Sequence, residues 1–166
     1  MGAMDDRSDL DAFWERARRK LDRNAVPEYM GVRPIDVLRP PAWAFGSTPQ
    51  QADELLALVL EGRKTATASS GWDYDPDGEQ LPEQGMLGIV LDGRQRPRAL
   101  VVTTRVRVVP FEEVDAEHAA AEGEGDGSLD HWRLVHEDFF TRHGARRFAD
   151  DMPVVLEDFE IIHQEP

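Results

Sequence analysis

Thr48–Ser70 reads TPQQADELLALVLEGRKTATASS and joins a helix with marked ends to an extended segment. Thr48 and Gln51 form a capping box, and Pro49 stands at the first helical position, where its missing N–H costs nothing. Leu55, Leu56, Leu58, Val59 and Leu60 fill the helix, and Gly62 is a natural stop. The Thr/Ala/Ser run that follows predicts a strand. Lys64 is thereby fixed just beyond a helix end, at the entry to that strand.

Lys64 is also chemically isolated. Only Lys20 and Lys64 among 19 basic side chains are lysine, the rest being arginine. Arginine stays protonated at accessible pH, whereas a lysine amine is adjustable and can serve as a base or nucleophile. Scarcity alone is equally what an arginine-rich composition leaves by chance. If residues 64–70 form a strand, Thr65, Thr67 and Ser69 share one face, while Lys64 and Ser70 start on the other. A twist or bulge at the strand start would bring the Lys64 amine over Thr67. Taken alone, the run is also what a half-exposed strand with high β-propensity looks like.

Working outward, Ser8 and Asp11 predict a capped first helix carrying Leu10, Phe13, Trp14, Ala17 and Leu21 as an apolar stripe. Met1–Met4 reads as a cloning scar. Pro27, Pro34, Pro40 and Pro41 make residues 24–41 an extended connection. Trp43–Gly46 predicts a short strand, residues 71–85 a loop, and Met86–Leu91 with Ala99–Val109 a hairpin. Phe111–Ala121 predicts a short helix, broken by Glu122-Gly123-Glu124-Gly125-Asp126-Gly127. A longer helix runs from near Ser128 to Gly144, and Met152–Ile162 predicts a closing strand. Four or more strands with interspersed helices and few βαβ repeats indicate an α+β domain with a mixed, barrel-like sheet. We divide the chain into the scar (1–4), an N-terminal helix and Pro-rich connection (5–41), and one domain (42–166).

Bulk properties exclude several classes. The chain has 166 residues, enough for one domain with a sizeable core. No apolar run approaches a membrane span, so no membrane partner is expected. Zero cysteines exclude disulfides, thiolate metal ligands and a cysteine nucleophile, and fit a cytoplasmic protein. A formal net charge of −14 argues against tight, sequence-blind binding to long nucleic acid. Arg94, Arg96, Arg98, Arg105 and Arg107 cluster on the hairpin and would make either a local basic groove or a solvated strand face.

Two further groups could carry chemistry. In the Glu122–Asp126 stretch, glycines let three carboxylates approach one another. They could act as general acid/base, orient a lysine, or hold Mg²⁺ or Mn²⁺ through oxygen ligands. Alternatively the acids serve the N-terminus of the next helix, the role preferred for Asp126. Trp72 and Tyr74 could stack a base, and Arg133 could pair with phosphate. Trp132 fits the core stripe of its helix, with His136 one turn on.

Together, Trp43-Ala44-Phe45-Gly46, Gln51–Leu56 leading to Gly62–Thr67, and Glu122–Asp126 followed by Trp132-Arg133 and His136 resemble the ASCH domain. That family is similar in fold to the RNA-binding PUA domains. The resemblance spans Trp43–Ile162, and the chain also resembles a subgroup rich in the EGEGD and WRxxH elements. The broader family signature is G-x-K, a polar residue three after the lysine, and an arginine two further on. Gly62, Lys64 and Thr67 match it, and Ser69 stands where the arginine is expected. The resemblance implies a PUA-like β-barrel with flanking helices and a cleft lined by the G-x-K segment. It also implies binding of RNA or a nucleotide, with ribonuclease-like hydrolysis of single-stranded RNA. Alternatives are amide hydrolysis of acylated cytidine, or RNA binding without catalysis. By resemblance Lys64, Thr67 and Glu124 carry catalysis, with Glu122 the close second to Glu124. Thr65, Ser69, Ser70, Trp72, Tyr74, Glu122, Arg133 and His136 would contact substrate. Oligomeric state is not legible.

Overall fold

The computed structural model describes residues 2–24, 38–74 and 78–166. Its elements in order are α1 (Gly2–Asn24), β1 (Ala42–Trp43), α2 (Pro49–Leu60), β2 (Ala66–Ser70), β3 (Leu87–Leu91), β4 (Pro97–Pro110), α3 (Ala116–Glu122), α4 (Leu129–His143) and β5 (Pro153–Gln164). Short 3-10 turns occupy Gly71–Asp73 and Phe111–Glu113.

α2 begins as its sequence requires, with the Thr48 side chain accepting from the Gln51 N–H and Pro49 in the first turn. It stops where Gly62 enters the left-handed region at φ 78°. Ala52, Leu56 and Val59 form its buried face. Leu56 and Val59 pack with Phe45, Val90, Ala99, Val101 and Phe159. On the opposite face of β3, Ile89 and Leu91 join Leu100 against Phe13, Trp14, Ala17 and Leu21 of α1. Alternate residues of one strand thus serve different helices, as a period of two dictates. A third cluster sets Trp132 and Phe140 of α4 and Ala119 of α3 on Phe111, Met152, Val154 and Leu156. Each fully buried aliphatic side chain in these clusters contributes about 1.5–3 kcal/mol.

The strand order is β1-β3-β4-β5-β2. β1 pairs parallel with β3, and the other pairings are antiparallel. Among the described residues this sheet stays open, which corrects the expected barrel. Closure needs the two edge strands to pair along a shared stagger. β1 has two residues, too few to form a ladder with β2.

Other boundaries differ from the sequence expectation. The first helix starts at Gly2, not Ser8. Helix formers such as Ala3 and Met4 allow the backbone to run on through a potential cap. The expected helix at Phe111–Ala121 is a 3-10 turn and then α3, because the Asp115 side chain caps from the His118 N–H and restarts the chain. Similarly, Ser70 caps the 3-10 turn inside the expected loop at 71–85. Most of the connection expected at 24–41, with Pro27 and Pro34, lies outside the described residues.

The hairpin arginines do not form a free basic strip. Arg96 and Arg98 lie 3.0 and 3.6 Å from the buried Asp92 carboxylate. Arg105 pairs with Asp158 at 2.6 Å, and Arg107 with Asp115 at 3.7 Å. No helix of the described residues is long and apolar enough to cross a membrane.

Candidate functional site

The end of α2 and the end of α3 meet at Lys64. The Arg63 and Lys64 N–H groups both donate to Leu58 O, at 2.9 and 3.0 Å, which turns the chain off the helix. Thr65 N–H then donates to Ala121 O at 2.8 Å, tying the strand entry to α3. α3 stops at Gly123, whose φ is 66°. A Cβ there would stand 2.2 Å from Arg63 O. Gly123 is therefore needed twice, for its backbone conformation and for the close approach. Gly123→Ala should lower stability by more than the ~1 kcal/mol of an ordinary glycine-to-alanine change at positive φ, read by urea denaturation. It should also loosen the Lys64–Glu122 contact.

That contact is buried on both sides, each side chain being 2% exposed. Lys64 Nζ donates to Ala66 O at 2.9 Å. It lies 3.5 Å from Glu122 Oε1 and 3.6 Å from Glu124 Oε2. The Phe45 ring centre is 5.4 Å away, close enough for a cation–π contribution. Glu122 also receives the Trp132 indole N–H. His118, one turn back on α3, approaches Glu122 Oε2 through Nε2 at 2.9 Å. His136 Nε2 lies 3.6 Å from Glu122 Oε1. The His136 ring stacks on Trp132 at 4.1 Å, and its Nδ1 donates to Trp132 O at 2.9 Å. Burial by itself would raise the Glu122 carboxyl. Hydrogen bonding from His118 and His136 and the charge of Lys64 overcome it and hold Glu122 well below the usual carboxylate range.

A chain of contacts links this network to the β2 face that carries Thr67. Phe45 stacks on Phe159 with centroids 6.1 Å apart. Phe159 and Glu157 are alternate residues of β5 and so share a face. Glu157 is paired directly with Thr67. Glu157 Oε1 accepts from Thr103 Oγ1 at 3.2 Å. Ser69, next along the same face, shares a 2.8 Å hydrogen bond with the Tyr74 hydroxyl.

The sequence candidates accordingly divide. Lys64, Glu122, Glu124 and His136 come together. Thr67, Ser69 and Tyr74 share the adjoining strand face. Among the described residues no hydrogen bond joins Lys64 to Thr67, the amine being held by Ala66 O and the two carboxylates. Thr65 turns away, its hydroxyl donating to Ala121 O at 3.3 Å. It lines a separate groove of about 310 Å³ with His118, Arg105 and Asp158. Ser70 is buried as the cap of the 3-10 turn. Trp72 packs against the α3/α4 cluster under the Arg146 guanidinium. Arg133 donates to Glu112 O at 3.4 Å. Asp126 accepts from the Ser128 N–H, while Ser128 itself caps α4.

His118, Phe45, Glu157 and the indole of Trp132 were not foreseen as site groups. His118 and Glu122 sit four apart, a spacing that puts both on one helix face once α3 is recognised. Glu157 carries no local signal, since only strand register brings it opposite Thr67.

Glu122, Glu124 and His136 present donor atoms within 4.8 Å of one another. The ammonium of Lys64 already stands beside both carboxylates. The recess they line with Trp132 holds about 10 Å³, too little for Mg²⁺ with the waters it retains. The donor set therefore fits the lysine better than a hydrated divalent ion.

These features define an α+β domain with an open five-stranded sheet and a buried lysine–carboxylate cluster where the ends of α2 and α3 meet. The chain belongs to the ASCH domain family, whose model matches residues 41–163. That family is linked to RNA binding. A crystal structure of an ASCH domain from Lactobacillus crispatus JV V101 is 28% identical with a TM-score of 0.80, covering 93% of this chain and 94% of that one. A protein from Enterococcus faecalis V583 is 35% identical with a TM-score of 0.77, covering 93% and 88%. No curated protein matches the chain.

Proposed function

We propose that this ASCH protein binds RNA or a nucleotide in the cleft between Lys64 and the β2 face and hydrolyses it. The observation that carries this is a lysine held, with almost no solvent exposure, between two acids of different exposure. Glu122 is 2% exposed and Glu124 26%. Glu122 serves as the fixed counter-charge. Glu124, open to the cleft, is free to move a proton. The Lys64 ammonium supplies positive charge for a phosphate or a developing oxyanion. Thr67 is the nucleophile or a substrate ligand, with Ser69 beside it. Tyr74 offers a ring for stacking, a contact that tolerates any base. With a net charge of −14, short single strands and single nucleotides suit the chain better than long duplexes.

The test compares wild type with Thr67→Ala and Glu124→Gln on single-stranded RNA and on acylated cytidine, with and without EDTA. Neither position is fully buried, so both variants should fold, which circular dichroism checks. Loss of proton transfer or of the nucleophile should lower the rate by about 10²–10⁴-fold on one substrate class. EDTA should leave the wild-type rate unchanged. Cleavage of RNA selects the ribonuclease-like activity, whereas release of the acyl group selects the amidohydrolase. RNA binding with no turnover of either substrate would replace the enzyme by a binding module.

A further inference from the structure

Glu157 is a half-buried carboxyl on the face of the proposed cleft, and neither the lysine network nor the β-sheet ladder uses it. Its pairing with Thr67 is direct, and β2 is the edge strand beyond it. One oxygen is committed to Thr103 Oγ1 at 3.2 Å. Among the described residues the other oxygen has no protein hydrogen-bond partner, and it is not among the buried polar atoms left unsatisfied. It therefore keeps access to solvent. Tyr74 is a near neighbour. Its hydroxyl is anchored on Ser69, and the Glu157 charge helps burial push the phenol up. Burial likewise raises the Glu157 carboxyl, with Thr103 the opposing influence. An anchored aromatic ring and a carboxyl with one free oxygen thus flank Thr67 on a single sheet face.

We propose that Glu157 is a specificity-determining residue that reads the edge of a nucleobase stacked on Tyr74, selecting cytosine and adenine over uracil. The inference rests on the proposed nucleotide-binding function. Its chemistry follows from what a carboxyl can exchange. In either protonation state it accepts a hydrogen bond, so the exocyclic amine of cytosine or adenine always finds a partner. When protonated it also donates, to the ring nitrogen beside that amine. A uracil carbonyl in the same place meets a lone pair whenever the carboxyl is ionised. Thr103 fixes the carboxyl so that the free oxygen keeps one direction, and the cross-strand position of Thr67 brings the reacting part of the ligand beside the base.

Binding of CMP, AMP, UMP and GMP by wild type, Glu157→Gln and Glu157→Ala, measured by isothermal titration calorimetry, tests this. Wild type should prefer CMP or AMP to UMP by about tenfold, the size of one good base-edge contact. Glutamine keeps the size and the Thr103 contact but can donate as well as accept. Glu157→Gln should therefore bring the CMP/UMP ratio close to one, while Glu157→Ala weakens CMP more than UMP. A merely structural Glu157 would change all four affinities together. Nucleotide binding with no amino preference, or with a preference that Glu157→Gln leaves intact, overturns this inference and leaves the proposed function standing. No binding of any nucleotide by the folded wild type overturns both.

Discussion

Lys64→Met should destabilise the fold by about 3–5 kcal/mol and abolish activity, although it removes a single charge. Methionine matches the length of the lysine stem, so little cavity forms. The cost arises from what remains. Glu122 is left as a buried carboxylate whose counter-ion is gone, and breaking a buried pair from one side costs about that much. Trp132 and His118 still donate to it, which sets a floor under the loss. Chemical denaturation of Lys64→Met, Glu122→Gln and the double variant separates the contributions. The double variant should be more stable than Lys64→Met, because a neutral glutamine needs no counter-ion. A double variant no better than the sum of the singles would show that the two side chains are not energetically coupled. For activity, the readout is the rate per folded molecule.

Acid should unfold this protein through Glu122. Its folded-state pKa lies below the ordinary carboxylate value. The stabilisation from its ionised form is fully present above the unfolded pKa, about 4.3. It is lost as the pH falls through the unfolded value toward the folded one. One such group gives a slope of up to about 1.4 kcal/mol per pH unit across that window. Denaturant midpoints from pH 7 to pH 3 should show the slope in wild type and a flatter profile in Glu122→Gln, which carries no titrating proton there. An unchanged slope in that variant would place the acid sensitivity elsewhere. Glu157 has the opposite sign. Its raised pKa gives stability that is present below the unfolded value and lost as pH rises through the folded one. Glu157→Gln should consequently be the more stable protein at neutral pH, while Glu122→Gln is the less stable.

The two glutamates show how unevenly a site can be read from sequence. Glu122 stands in a glycine-punctuated acidic stretch that draws the eye, although sequence leaves open whether its acids serve a site or the N-terminus of the next helix. The structure brings both to Lys64 and separates them by exposure, a quantity that sequence does not carry. Glu157 lies in an ordinary strand, PVVLEDFEII, where alternation says which neighbours share its face but not what stands across from it. Trp132 was legible as core, and it is core. That its indole N–H also donates to Glu122 depends on the angle at which α4 crosses α3. Trp72, Arg133, Thr65 and Ser70 carried suitable chemistry in suitable places along the chain, and each makes its contacts outside the Lys64 network.

Local rules with short range were enough for the helix α2 and its ends, the placing of Lys64 beyond it, the hairpin of β3 and β4, the start of α4 at Ser128 and the glycine break after Glu122. Capping, periodicity and turn chemistry act over a few residues and leave their marks in order. The family motifs lie in the same stretches and were legible for the same reason. What the tertiary structure alone decided was how distant segments meet. β1 proved too short to close the sheet, α3 was pressed onto the Arg63–Lys64 peptide through Gly123, and the register of β5 put Glu157 against Thr67. Such contacts join residues tens of positions apart, and their energies depend on burial and geometry that no local pattern encodes.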